Sequence, residues 1–180
     1  MGQRFAEVAW GDDQPRSATE RILRAARVVL AQRGLSVRVE DVAEAAGVSR
    51  RTVFRHFESR EALLAAALRD SMRSYGDRIP RHDEGRPLAD WLHEAFVAVH
   101  EMNARHGRVY FELALATELT GPLAEVAALR RAGRAELVRR FSDAAWTASG
   151  ASGSPPGWLV DTLAILLSAY ATEALVGDFG

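Results

Sequence analysis

A chain of 180 residues is long enough to bury about two-thirds of its unfolded surface, as one domain or as a small domain joined to a modest second one. The absence of cysteine excludes a disulfide framework, a thiolate zinc site and a cysteine nucleophile. A net charge of −1, from 23 basic residues that are all arginine against 24 acids, excludes a polybasic coat, so contact with nucleic acid requires local positive charge. The balance is uneven: 12 arginines face 10 acids up to Asp70, and 11 face 14 beyond it, a basic head on an acidic body. Met1 to Arg16 is interrupted by Arg4, Glu7, Asp12, Asp13 and Pro15 and has no secretory core. The most apolar stretch, Trp158 to Val176, carries Asp161 and Glu173, so no membrane span and a soluble cytoplasmic protein are expected.

Helical periodicity covers nearly the whole chain, and the only strand-like stretch is Ser36 to Val39, which predicts an all-α fold. Residues 1–16 read as a flexible arm. Ser17-Ala18-Thr19-Glu20 is a capping box opening a helix to Arg33, with Ile22, Leu23, Ala26, Val29 and Leu30 on one stripe and Gly34 at its left-handed end. A short helix from Val39 to Ala46, a turn at Gly47-Val48-Ser49, and a helix from Arg50 to about Phe57 follow. Ser59 caps a fourth helix extending to Ile79, where Pro80 stops it, and Pro80 to Pro87 reads as a loop. Further helices are predicted over Leu88–Arg105, Arg108–Leu119, Pro122–Ala148 and Trp158–Val176, with a Gly/Ser/Pro loop before the last. The division is therefore 17–58 as head, 59–79 as connecting helix and 80–180 as C-terminal domain.

Val39 to Phe57 carries the chemistry, because it reads as a helix-turn-helix. Two short helices that cross steeply need a small residue at their approach, Ala43, a left-handed turn residue, Gly47, and apolar plugs, Val48 and Val53. With Val53 and Phe57 turned inward, Arg50, Arg51, Thr52, Arg55 and His56 line the outer surface of the third helix, and Arg60 lies just beyond. Four arginines and one acid lie between Ser49 and Arg60. Arginine forks onto the O6 and N7 edge of guanine, and Thr52 reaches a phosphate or a thymine methyl.

This stretch resembles the TetR family of bacterial transcription regulators. The likeness runs from Thr19-Glu-Arg-Ile-Leu through Gly34 and Glu40-Asp-Val-Ala-Glu-Ala-Ala-Gly-Val-Ser to Thr52-Val-Phe-Arg-His-Phe and Glu61-Ala-Leu-Leu. It implies a homodimer that binds a palindromic operator in double-stranded DNA and is released from it, as a repressor, by a small-molecule ligand held in a helical C-terminal domain. Carried over by position, Thr52, Phe54, His56 and Arg60 contact DNA, and Arg50, Arg51 and Arg55 are variable base readers beside the cap Ser49. Phe54 stands where the family usually has tyrosine and so loses a hydroxyl contact to phosphate. Arg60 replaces the usual lysine, and Arg38 takes an N-cap position where serine or threonine is common.

The C-terminal domain offers no ligand motif. Met72, Tyr75, Trp91, Phe96, His100, Tyr110 and Phe111 are the candidate pocket residues. His93 and His100 each precede a glutamate but lack the second histidine of a zinc helix, so neither metal nor cofactor is expected. No phosphate-cradling glycine loop or Gly-x-Ser-x-Gly elbow supports an enzyme. Trp158, Leu159, Leu163, Leu166, Leu167 and Tyr170 make the last helix apolar over more surface than one neighbour covers, which points to a dimer interface joined by the helix from Pro122. The alternative is a helical ligand-binding or adaptor protein that has lost DNA binding, an option kept open by Phe54.

Overall fold

The computed structural model describes residues 17–73, 78–83, 85–106 and 108–179. Among them the secondary structure is helical: α1 (Ala18–Arg33), a 3-10 turn (Gly34–Ser36), α2 (Val39–Ala46), α3 (Arg50–His56), α4 (Arg60–Arg73), α5 (Leu88–His106), α6 (Arg108–Leu115), α7 (Gly121–Ala148), α8 (Gly157–Leu166) and α9 (Ala169–Phe179). The chain is all-α. The strand-like stretch at Ser36–Val39 instead ends a 3-10 turn and opens α2.

Local chemistry explains the boundaries. Ser17 Oγ accepts the Glu20 N–H at 3.1 Å while the Glu20 carboxylate accepts the Ser17 N–H at 3.1 Å, the reciprocal capping box. Arg38 has no side-chain acceptor to cap α2, so Asp41 supplies the missing half, accepting the Arg38 N–H at 2.9 Å. That bond, with the Arg38 and Arg33 guanidinium groups, pulls the Asp41 carboxyl down to about 2. Ser59 Oγ accepts the Ala62 N–H at 3.0 Å at the start of α4.

Three predicted helices differ. Ile79 is not helical, because the residue before a proline is driven out of the α region. The sixth helix ends at Leu115 rather than Leu119: two threonines follow, and Gly121, at φ 54°, and Pro122 restart the chain. The last predicted helix is two, α8 and α9, with axes bent by 51°. Leu167 N–H closes α8 on the Leu163 carbonyl at 2.9 Å, and Ser168 Oγ accepts the Ala171 N–H at 3.1 Å, capping a new helix inside a continuous apolar run. No single helix among the described residues is long and apolar enough to cross a membrane.

The chain gathers into two compact units. The first comprises the residues up to Ser71 together with Arg105–Leu123. In it α2 packs on α1 and α3, and α6 packs on α1 and the 3-10 turn. Its buried side chains include Ile22, Leu30, Val42, Val53, Leu63, Leu64 and Leu68. A division at residue 80 assigns α6 to the C-terminal domain, whereas Val109, Tyr110 and Leu113 of α6 are buried in this unit. The Glu112 carboxylate accepts the Leu35 N–H at 2.5 Å and pairs with Arg108 at 2.5 Å. Gly34, at φ 64°, lies under that carboxylate, where any Cβ would collide with it.

The second unit comprises Met72–Ala104 and the residues from Ala124 onward. Its core contains Ile79, Trp91, Ala95, Val99, Met102, Leu137, Val138, Phe141, Leu163 and Leu167. Trp91 stacks on Phe141 with centroids 5.1 Å apart, and the Arg134 guanidinium donates to the Ala164 carbonyl, tying α7 to α8. Thr172 of α9 lies 2.8 Å from His100 Nδ1 and 3.0 Å from Asn103 Nδ2, so α5 grips α9 just past the bend.

Candidate nucleic-acid interface

The helix-turn-helix is built by α2, its turn and α3. Gly47 adopts φ 63° and ψ 37°, the left-handed conformation that a side chain strains, and its N–H bonds back to Ala43 and Glu44. Val48 N–H donates to the Ala43 carbonyl at 3.0 Å, which turns the chain sharply out of α2. Ser49 then caps α3, its Oγ accepting the Thr52 N–H at 3.1 Å and lying 2.9 Å from the Thr52 hydroxyl. Ala43 and Val53 are buried between the helices and Val48 is half-buried, the arrangement their sizes predict.

With Val53 inward, α3 exposes Arg50, Arg51, Phe54, Arg55 and His56, and Thr52 is half-exposed. The five outward residues are not equivalent. Arg50 Nε pairs with Glu40 of α2 at 3.0 Å, and its guanidinium lies 5.2 Å from the centre of the Phe54 ring, a cation–π contact that orients both groups. His56 Nδ1 lies 3.1 Å from the Thr19 hydroxyl, so the end of α3 is fastened to the start of α1. Arg51 and Arg55 stand one turn apart on one face, exposed and with neither hydrogen bond nor ion pair among the described residues. Phe54 is 41% exposed, which is unusual for so large an apolar ring beside free cations.

Arg60 departs from the expectation of a DNA contact. Its Nε donates to the Val37 carbonyl at 2.6 Å, Nη2 donates to the Leu35 carbonyl, and Nη1 pairs with Glu61 at 3.1 Å. A half-buried guanidinium with three donors on the segment between α1 and α2 and on Glu61 acts as a structural clamp, with two of its five N–H groups left for another acceptor. The signal was absent from the sequence, because Leu35 and Val37 present main-chain carbonyls that any residue has.

The candidate pocket residues fall in both units. Tyr75 lies outside the described residues. Met72 is half-buried, Phe96 packs edge-on to Phe141 at 6.4 Å, and His100 is bonded to Thr172. Tyr110 and Phe111 belong to the first unit, where Tyr110 stacks on His106 at 4.4 Å. Of the group, Trp91 borders a cleft lined by Ile79, Pro80, Arg81, His82, Arg140, Phe141 and Ala144, which periodicity did not pick out. Inward-facing periodicity marks residues that meet a core, not those that border a space.

The apolar set on the last two helices divides as well. Leu163 and Leu167 are 6% and 2% exposed and serve the core of the second unit, and Leu159 is half-buried. Trp158, Leu166 and Tyr170 are exposed, as are Ile165 at 68%, Leu175 and Val176.

A sequence model of the family described as bacterial regulatory proteins, tetR family, matches residues 22–67, the span of α1 to α4 just described. Two uncharacterized HTH-type transcriptional regulators from two strains of Mycobacterium tuberculosis are each 43% identical over 63 residues, 34% of this chain. The match spans 31% of the length of these curated relatives. The crystal structure of a candidate TetR transcriptional regulator of Streptomyces avermitilis superposes with a TM-score of 0.65 at 27% identity, covering 90% of this chain and 88% of that one. Its capped helix-turn-helix lies inside the span matched by the tetR-family model, and its all-helical build is similar to that of the Streptomyces avermitilis TetR regulator along nine-tenths of its length.

Proposed function

We propose that this chain is a sequence-specific DNA-binding transcription regulator, a cytoplasmic homodimer that represses from a palindromic operator and is released by a small-molecule ligand. The observation that carries the reading is the pair Arg51 and Arg55, two exposed cations without partners among the described residues, one turn apart on a helix held rigid by Val53 and the Ser49 cap. In a major groove each guanidinium forks onto guanine O6 and N7, while Thr52 reaches phosphate and the Phe54 ring meets a thymine methyl or sugar. Arg50, held by Glu40 and the Phe54 ring, arrives pre-oriented and loses less rotamer freedom on binding.

The homodimer is supported by the exposed apolar side chains of α8 and α9, a surface that a second copy would cover. Two heads then address half-sites one helical turn, or a multiple of it, apart. Release follows if a ligand prefers one arrangement of the dimer: a coupling of about 1–3 kcal/mol lowers operator affinity roughly 5- to 150-fold, and DNA weakens the ligand equally.

Selection of bound duplexes from a random pool tests the reading. A palindrome is expected, with Arg51→Ala and Arg55→Ala each weakening it by about 1–3 kcal/mol at unchanged helical content. No enriched sequence would leave a helical adaptor that does not read DNA, and full affinity in both variants would remove α3 from the groove.

A further inference from the structure

We propose that the cleft among Ile79–His82, α5 and α7 is a binding site for a small aromatic carboxylate, with Arg140 as counter-charge and the ring margins of Trp91 and Phe141 on its floor. The proposal rests on the sensor reading above only for the purpose of the site, not for its chemistry.

The cleft has a volume of about 320 Å³ and is lined by Ile79, Pro80, Arg81, His82, Trp91, Arg140, Phe141 and Ala144. That is the small end of the ~300–1,000 Å³ range of ligand sites, so the occupant is one or two rings in size. Its apolar part is rigid and flat. Trp91 stacks on Phe141 at 30°, and His82 meets the Trp91 ring edge-on at 4.9 Å. The Trp91 indole N–H already donates to the Pro80 carbonyl at 3.0 Å, which fixes the ring; Trp91 and Phe141 are each 2% exposed, so a guest meets the margin of this stacked pair. Ala144, one turn beyond Arg140 on α7, adds little bulk to the wall.

The polar part has one sign. Among the described residues two arginines and a histidine line the cleft, and no acid does. On α7 Arg139 binds Glu136 at 2.7 Å and Asp143 at 2.8 Å, and Glu136 also feels the charge of Arg140 without a direct ion pair to it. Arg140 makes no hydrogen bond or salt bridge among the described residues, and its Nε is buried without a partner. His82 Nε2 is buried without a partner in the same lining. A guanidinium and an imidazole nitrogen left unsatisfied beside a cleft are costly exceptions in a folded protein, and an anion seated there supplies the missing acceptor. A cation is repelled, and a neutral apolar guest would desolvate the guanidinium without pairing it. The apolar lining of Ile79, Pro80 and Ala144 beside the Trp91 and Phe141 ring margins favours an apolar-bodied carboxylate over a free inorganic anion.

Titration calorimetry of the full chain with benzoate and naphthoate, each beside its neutral carboxamide, tests the site without DNA. One naphthoate per chain is expected, tighter than benzoate, with the carboxamide about tenfold weaker. Arg140→Gln should weaken naphthoate about tenfold and leave the carboxamide unchanged, whereas Ala144→Leu, which fills the cleft, should remove both at unaltered helical content. Absence of naphthoate binding, or equal binding to Arg140→Gln, overturns the proposal. Naphthoate that binds in this way yet leaves operator affinity unchanged supports the site and overturns the sensor role instead.

Discussion

Gly34 and Glu112 lie 78 residues apart in the chain, and their contact is a test of how α6 holds the head. Gly34→Ala perturbs it twice. At φ 64° and ψ −151° the backbone occupies a region essentially reserved for glycine, and forcing alanine there costs about 1–3 kcal/mol. The new methyl also occupies the position of the Glu112 carboxylate, which must leave the Leu35 N–H, a charge-assisted bond of about 1.5–3 kcal/mol. Together the loss is about 2.5–6 kcal/mol, a large share of the roughly 5–15 kcal/mol that stabilises a domain. In a Glu112→Ala background the second part has already gone, so Gly34→Ala should cost only the backbone share, about 1–3 kcal/mol. Urea denaturation of the four proteins by far-UV circular dichroism, with native-state hydrogen exchange of α1 and α6 amides, measures the cycle. A coupling under about 0.5 kcal/mol would refute the contact, because neighbours that compete for one space cannot be additive.

Arg60→Ala should destabilise the head by about 1.5–3 kcal/mol, since it removes the charged donors to Leu35 and Val37, while leaving the salt dependence of operator binding unaltered. Unchanged stability with a salt slope flattened by about one unit would restore the phosphate-contact reading. Burial pushes His100 below its ordinary 6.5, so its neutral form stabilises the fold above that value and the contribution is lost as the pH falls from 6.5 through the depressed value. His100→Asn should flatten urea midpoints across that window; parallel curves would exclude His100 as their source. Asp41, lowered to about 2 first by the Arg38 N–H and then by the Arg38 and Arg33 side chains, contributes above 3.8 and loses that contribution as the pH falls from 3.8 to about 2. Asp41→Asn should remove that acid-dependent part, and a midpoint profile identical to the parent's would assign the acid loss elsewhere.

The helix-turn-helix was legible because everything that builds it is local. Ser17 with Glu20, Gly47, Ser49 with Thr52, and the plugs Ala43 and Val53 act within a few residues of one another, so their spacing alone specifies the caps, the turn and the outward arginines. What sequence could not separate was the fate of side chains of the same type. Arg60 clamps carbonyls while Arg51 and Arg55 stay unpartnered, and Leu163 is buried while Leu166 is exposed. The bend at Ser168 was hidden for the converse reason: serine in an apolar helix reads as a tolerated polar residue until His100 and Asn103 of α5 hold Thr172 one turn later. The cleft is the extreme case, since Arg81 and His82 lie far along the chain from Arg140 and meet only because α5 and α7 pack. Backbone hydrogen bonding and helical periodicity act over one to two turns and are written in the chain. Which cation finds a carboxylate, and which space is left unfilled, depends on residues brought together by packing, and that only the tertiary structure decided.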